Sequence, residues 1–299
     1  MTIAPPLKQI TRAYHVISPH EFSALQLKKN LGRIVPIDST WYMPNVKKNG
    51  FIEFQGKRIP NAVFFDIDQV KDHKNEFPHM LPSEVDFNNE VSKLGIVKDD
   101  NLVIYDKQGI FSCCRTSWMF EIFGHDLDKI YILNHYPLYL KQGGELDESS
   151  LNKPTSLQRS QYTSTGLQKS KVILFEELLQ LVQSGDIKNY YLIDARSAPR
   201  FSGEQPEPRP GLPSGHIPGA INVPFGTLLF GQDNTIPSKQ ELVSHFKKLG
   251  INDDKPIIVM CGTGVTACIV KVCLDVAGLN KNGHIVYDGS WTEWAQRSN

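Results

Sequence analysis

The chain repeats itself, and that duplication constrains its fold more than any composition value. A strand-like run ending in Asp38 (RIVPID) matches one ending in Asp194 (YYLID), and Ile59–Ala62 (IPNA) matches Ile217–Ala220 (IPGA). The apolar run Leu102–Tyr105 before Asp106 matches Ile257–Met260 before Cys261, and Ile130–Asn134 matches His284–Asp288. Each pair stands about 155 residues apart, the signature of an internal repeat. Each copy reads as strand, loop, short strand (Ala62–Asp66; Ala220–Val223), helix, buried strand, tight loop, helix, strand. Strands that are almost wholly apolar and alternate with helical stretches predict a parallel sheet covered on both faces. The predicted fold class is α/β: two tandem domains, each a parallel sheet with helices on both faces.

A length of 299 residues suits two such domains. The polar, turn-rich passage Lys141–Ser170 separates them, which gives an N-terminal domain over 1–142, a linker over 143–170 and a C-terminal domain over 171–299. Lys plus Arg and Asp plus Glu number 32 each, so the formal charge is zero and bulk charge does not recruit nucleic acid. Apolar stretches such as Pro256–Met260 fall far short of the ~20 residues that span a bilayer, so no membrane partner is expected. Five cysteines without CxxC spacing argue against a disulfide framework or a structural zinc site and fit a reducing compartment. Lys8 and Arg12, with no acid before Glu21, fit a mitochondrial leader. Pro5, Pro6 and the capped helix read over Ser18–Leu27 favour a mature cytosolic start instead. A cytoplasmic location is expected, with a mitochondrial pool left open.

In parallel α/β sheets ligands gather at the carboxyl ends of the strands, which directs attention to the residues after Met260 and Tyr105. Cys261 ends a buried strand and a helix starts near Thr266, so Cys261-Gly262-Thr263-Gly264-Val265-Thr266 must make the turn. Gly262 and Gly264 let the backbone curl with successive N–H groups inward, forming an anion nest beside a helix N-terminus. A cysteine sulfur there is favoured as thiolate, and hence as nucleophile, provided that water reaches it. Cys268 and Cys273 lie in the following helix in apolar company and read as core. Cys113 and Cys114 fall in the first-half loop Asp106–Arg115, where Asp106 stands in place of Cys261, and read as packing or incidental redox positions.

Arg200 and Arg209 flank one proline-stiffened loop, either a solvated loop or a cationic clamp for a small acid. Arg196, two residues after Asp194, reads as a structural brace. Asp68 and His79 share one loop (FFDIDQVKDHKNEFPHMLP), a pairing that by itself means little. Trp291 and Trp294 read as terminal packing and His216 as a hydrogen-bonded core histidine.

Over nearly its whole length the chain resembles the tandem rhodanese-domain sulfurtransferases. The segments Gly215-His216-Ile217-Pro218-Gly219-Ala220 and Tyr287-Asp288-Gly289-Ser290-Trp291-Thr292-Glu293-Trp294 match the two signatures of the family in its second half; the first half then corresponds to the catalytically inactive domain. The thiosulfate branch of that family has Arg and Lys after its cysteine, whereas the 3-mercaptopyruvate branch has Gly and then Ser or Thr. The chain is similar to the latter, and two uncharged residues in place of a dication should weaken thiosulfate binding. The resemblance implies that Cys261 carries a persulfide and that Gly262, Gly264, Val265 and Thr266 contribute to the substrate site. It further implies that Arg200 and Arg209 hold the substrate carboxylate. Asp68, His79 and the Thr263 hydroxyl, with Thr for the commoner Ser, would form a proton relay, His79 being favoured over His73 by its place in the motif. First-half residues can reach Cys261 only in a cleft between the domains. No metal or organic cofactor is implied. The implied partners are a small-molecule sulfur donor, 3-mercaptopyruvate, and thiol acceptors such as thioredoxin. A sulfur-relay protein of tRNA thiouridine modification is a further implied acceptor, since the chain resembles the fungal proteins serving that relay. Three alternatives stand beside this reading: a thiosulfate:cyanide sulfurtransferase, a non-catalytic binding module and a rhodanese-fold cysteine phosphatase. The intact Cys261 loop opposes the module. The phosphatase needs a longer loop ending in Arg, where this chain has Thr266 or Ala267.

Overall fold

Local sequence signals set the ends of several helices. In the computed structural model, which describes residues 13–149, 158–279 and 281–298, Ser18 caps the first helix in a reciprocal box with Glu21, and Pro19 occupies its first turn. The leader residues Pro5, Pro6, Lys8 and Arg12 and the linker residues 150–157 lie outside the described residues. The first half runs β1 (His15–Ile17), α1 (Pro19–Gln26), β2 (Ile34–Asp38), α2 (Gly50–Gly56), β3 (Val63–Phe64), α3 (Glu84–Lys93), β4 (Asn101–Tyr105), α4 (Cys113–Ile122), β5 (Ile130–Leu133) and α5 (Tyr136–Lys141). The second half runs β6 (Val172–Ile173), α6 (Phe175–Ser184), β7 (Tyr191–Asp194), α7 (Ala198–Ser202), β8 (Ala220–Asn222), α8 (Lys239–Lys248), β9 (Ile257–Met260), α9 (Ala267–Ala277), β10 (His284–Tyr287) and α10 (Ser290–Arg297). The edge strands β3 and β8 are shorter than their sequence pattern predicts.

The repeat extends to topology. The sheets have the orders β1-β5-β4-β2-β3 and β6-β10-β9-β7-β8, and every pairing is parallel. The central strands β4 and β9 are buried throughout, as strands covered on both faces must be. Both tight loops leave the carboxyl ends of these strands, so the sheets aim Asp106 and Cys261 at equivalent places.

The equivalent helices α4 and α9 pack against each other and join the halves. Trp118 and Met119 of α4 share one apolar core with Ile269, Val272 and Cys273 of α9. This explains why neither helix keeps a polar face: all of α4 and nearly all of α9 is buried. The linker is also pinned. Tyr162 is buried, stacks on His125 and meets Phe87 edge-on, while Ser160 and Tyr162 donate backbone N–H groups to Ser92.

The structure corrects one expectation. Cys113 and Cys114 do not lie in a loop; they open α4 and are fully buried. The Asp106 carboxylate accepts N–H bonds from Gln108 (3.0 Å), Phe111 (2.9 Å) and Cys113 (3.0 Å), curling the chain tightly enough for the helix to start there.

Behind the shared core, a buried ionic cluster ties the halves. Lys271 of α9 meets Glu121 of α4 and Asp275, each at 2.8 Å; Tyr14 donates to Glu121, and His284 pairs with Asp275 at 3.0 Å. Burial would raise the carboxyls of Glu121 and Asp275, but Lys271, aided by Lys171 and His284 respectively, outweighs it and holds both below their ordinary values. Because these folded-state values are depressed, the stabilisation is present above the ordinary carboxylate range near pH 4 and is lost as pH falls through the folded values. Lys271→Met is expected to cost about 3–5 kcal/mol at neutral pH, since two carboxylates lose their buried counter-charge. It should also flatten the acid limb of stability; urea unfolding at several pH values measures both.

Candidate active site

The Cys261 loop is shaped by what binds its carbonyls. The N–H groups of Trp291 and Thr292, at the start of α10, take the carbonyls of Cys261 and Gly262 at 3.0 Å each, and the Thr292 hydroxyl takes the latter as well. Ser290 Oγ accepts the Cys261 N–H at 3.1 Å. The Gly264 carbonyl is held by Arg115 and by the Cys268 thiol. With these carbonyls drawn outward, the peptide N–H groups face the other way. Among the described residues none of the N–H groups of Gly262, Thr263, Gly264 or Val265 has a hydrogen-bond partner. Beside them, α9 begins at Ala267 with no side-chain cap on its N-terminus. The result is an unfilled anion nest.

Cys261 lies at its floor, only 2% exposed and thus less open to water than the sequence reading requires. The approach passes Gly262 and Thr266 and the side chains of Arg200 and Arg209, all of them partly exposed. Burial of this kind limits the access of bulk water to a sulfur. Cys268 and Cys273 are buried in α9, where burial pushes both thiols up from their ordinary value and leaves them protonated.

The two arginines are not equivalent. Arg200 turns its fork onto Glu207, with Nε donating to Oε1 at 3.1 Å and Nη2 to Oε2; the same Nη2 lies 3.1 Å from where a Cβ on Gly262 would stand. Arg196 is fully buried, bound to Asp194, Glu207 and the Gly215 carbonyl, and stacked on Trp291 at 4.4 Å. Trp291 in turn donates to the Pro213 carbonyl, fixing the arginine-bearing loop against α10. Arg209 has no ion pair or hydrogen bond among the described residues. Burial lowers its guanidinium from the ordinary value, against the pull of Cys261 and Asp68. It is the uncommitted cation beside the sulfur.

A hydrogen-bonded chain enters from the first half. His79 Nδ1 lies 3.0 Å from Thr263 Oγ1, and Nε2 lies 3.0 Å from Asp68 Oδ1. Trp41 Nε1 donates to Asp68 Oδ2 at 2.7 Å. Burial lowers His79 from its ordinary value, whereas the bond from His79 lowers Asp68. A neutral imidazole facing a carboxylate places its proton on Nε2, so Nδ1 accepts from the Thr263 hydroxyl. His73 instead bonds the Gln69 carbonyl and stays exposed. His216 is not the core histidine expected from the sequence: it is exposed, bonds the Phe201 carbonyl and stacks on Phe201, so its hydrogen bond is made at the surface.

Arg115, from the other half's α4, closes the site from behind. It donates to the carbonyls of His79 and Gly264 and to Asp288 Oδ1 (2.8 Å), while Asp288 Oδ2 takes the Leu81 N–H at 2.6 Å. One buried guanidinium thus fixes the relay loop to the Cys261 loop and holds His79 in its left-handed conformation, φ 61°. The duplication repeats this crossing in reverse: Ile236 N donates to Asn134 Oδ1 as Leu81 N does to Asp288. In that counterpart site the Asp106 carboxylate itself takes the N–H groups of Gln108, Phe111 and Cys113. Arg115, Trp41 and Glu207 escaped the sequence reading, and Asp288 entered it only as part of the repeat and a signature; the one local hint was a charge inside an otherwise uncharged run (CCRTSWMF).

Comparison with known proteins finds relatives along nearly the whole chain. A family model described as a rhodanese-like domain matches residues 174–297. The chain is 40% identical over 295 residues to thiosulfate sulfurtransferase TUM1 of Saccharomyces cerevisiae, covering 95% of this chain and 96% of the yeast protein. It is 38% identical over 276 residues to a probable 3-mercaptopyruvate sulfurtransferase of Schizosaccharomyces pombe, covering 92% of this chain and 90% of that one. The crystal structure of the Saccharomyces Tum1 protein matches with a TM-score of 0.89, at 40% identity and over 96% of both chains.

Proposed function

Since the chain belongs to the tandem rhodanese sulfurtransferases and is an enzyme of the thiosulfate/3-mercaptopyruvate class, we propose that its preferred donor is 3-mercaptopyruvate and that Cys261 carries the sulfur. The observation behind this reading is the uncharged nest around Cys261, whose Thr263 hydroxyl is wired to His79. A dianion such as thiosulfate calls for cations in the loop, and the loop supplies only amides. A keto acid calls for a carboxylate clamp and a proton path, and Arg209, Arg200 and the Thr263–His79–Asp68 chain supply both.

The Cys261 thiolate attacks the donor sulfur, forming an S–S bond while the carbon–sulfur bond breaks and its electron pair passes to the donor carbon. The leaving group is the pyruvate enolate. The proton given up by the Cys261 thiol is held on the relay and returned to that carbon, so the first half-reaction yields pyruvate and a Cys261 persulfide without net proton change. When the persulfide releases to water the proton that arrived on the donor sulfur, the amide nest stabilises the resulting anion. An acceptor thiol then attacks the outer sulfur and leaves as a persulfide, restoring Cys261. Gly262, Gly264, Val265 and Thr266 line this cradle. Residues 171–299 form the catalytic unit, 143–170 the linker, and 1–142 the domain that contributes the relay.

Turnover with the two donors tests the reading: kcat/KM is expected to favour 3-mercaptopyruvate, and equal or better use of thiosulfate overturns it. Arg209→Lys is expected to raise KM for 3-mercaptopyruvate about tenfold with kcat within a few-fold, because a bidentate fork becomes a point charge. An unchanged KM removes Arg209 from the clamp. The acceptor is a thiol, for which thioredoxin and a sulfur-relay protein of tRNA thiolation are our two candidates. Mitochondrial relatives support a mitochondrial pool beside a cytosolic one.

A further inference from the structure

The cations around Cys261 are paired with one exception. Arg196 is matched by Asp194, Arg115 by Asp288 and Arg200 by Glu207. Arg209 alone of them has no ion-pair partner among the described residues, and Asp68, bonded by the neutral His79 and Trp41, is the carboxylate left to face it.

Glu207 decides whether Arg200 joins Arg209. Its side chain is 2% exposed, so solvent does little to screen it. It bridges Arg196, at 2.8 Å, and the fork of Arg200. Arg200, with a side chain 20% exposed, stands over Gly262 at the entrance to the nest. Without the Glu207 charge, two neighbouring arginines would face the sulfur with nothing to balance the second, an arrangement suited to a dianion.

We propose that Glu207 is a positioning residue that sets donor specificity: by neutralising Arg200 it keeps a second free cation from joining Arg209 and so favours a singly charged keto acid over doubly charged thiosulfate. This deepens the reading of the donor given above and rests on it. The mechanism is Coulombic, since one added positive charge attracts a dianion twice as strongly as a monoanion at the same distance.

The test compares both donors across two variants. Glu207→Gln, which removes the charge but keeps an acceptor oxygen for Arg196, is expected to raise the ratio of kcat/KM for thiosulfate to that for 3-mercaptopyruvate about tenfold, mainly through a lower KM for thiosulfate. Glu207→Asp keeps the charge and is expected to hold the wild-type ratio within about twofold even if both activities fall. An unchanged ratio in Glu207→Gln, or an equal shift in both variants, overturns the proposal, because a purely structural role would affect the two donors alike. Should Glu207→Gln fail to fold, competitive inhibition of the wild type decides: pyruvate is expected to inhibit more tightly than sulfate, and tighter inhibition by sulfate overturns the proposal. If the wild type ignores 3-mercaptopyruvate, the donor reading fails separately, while KM for thiosulfate in Glu207→Gln still tests the role of Glu207.

Discussion

Cys261→Ser is expected to release pyruvate from 3-mercaptopyruvate no faster than background, a loss of about 10⁴-fold or more, while folding normally. The two halves of this expectation come from different atoms. The backbone of Cys261 is fixed by Ser290 Oγ on its N–H and by the Trp291 N–H on its carbonyl, and neither bond uses the sulfur. Serine therefore fits the same floor. Its hydroxyl stays protonated near neutral pH and cannot carry a second sulfur, so the chemistry stops at the first step. Steady-state turnover with an unchanged circular dichroism spectrum checks both points, and turnover above about one hundredth of wild type contradicts the assignment.

Gly264→Ala is expected to lower kcat/KM about 100-fold and to destabilise the protein as well. Gly264 has φ +75°, which an L side chain adopts only under strain. A Cβ there would stand 2.7 Å from Arg115 Nη1 and 2.9 Å from the Asp288 carbonyl oxygen. Neither can yield cheaply: one is main chain, and the other is a buried guanidinium tied to His79 and Asp288. Relief must displace the nest, the Arg115 clasp or both, and each displacement moves Thr263 away from His79. Gly262→Ala makes the control, since it has ordinary φ and its Cβ would meet only the end of the Arg200 side chain at 3.1 Å. A modest rise in KM is expected there. Equal losses in the two variants would show that the Arg115 clasp contributes nothing.

The sequence reading succeeded where structure is written locally and then repeated. Four landmarks at one spacing implied two sheets with the same strand order, and a cysteine followed by Gly-x-Gly after an apolar strand implied the nest. Contacts between the halves were harder to foresee. Arg115 meets Gly264 and Asp288 only after two domains have folded and packed, and nothing near it in the chain announces those partners. Trp41 and Glu207 were missed for the same reason, as each matters through what it bonds. The misplacement of Cys113 and Cys114 has another cause: a side-chain carboxylate, Asp106, acts beside Gly109 in bending the loop, so the helix starts earlier than backbone-based signals suggest. Composition did not announce how the linker is held. It is polar throughout most of its length, yet a single aromatic, Tyr162, anchors it against Phe87 and His125.

The most direct measurement is mass spectrometry of the intact protein and of its peptides after brief exposure to 3-mercaptopyruvate without acceptor. The account predicts a gain of one sulfur on the Cys261 peptide, discharged when a thiol acceptor is added. A sulfur found on Cys113, Cys114, Cys268 or Cys273, or no gain at all, would contradict it.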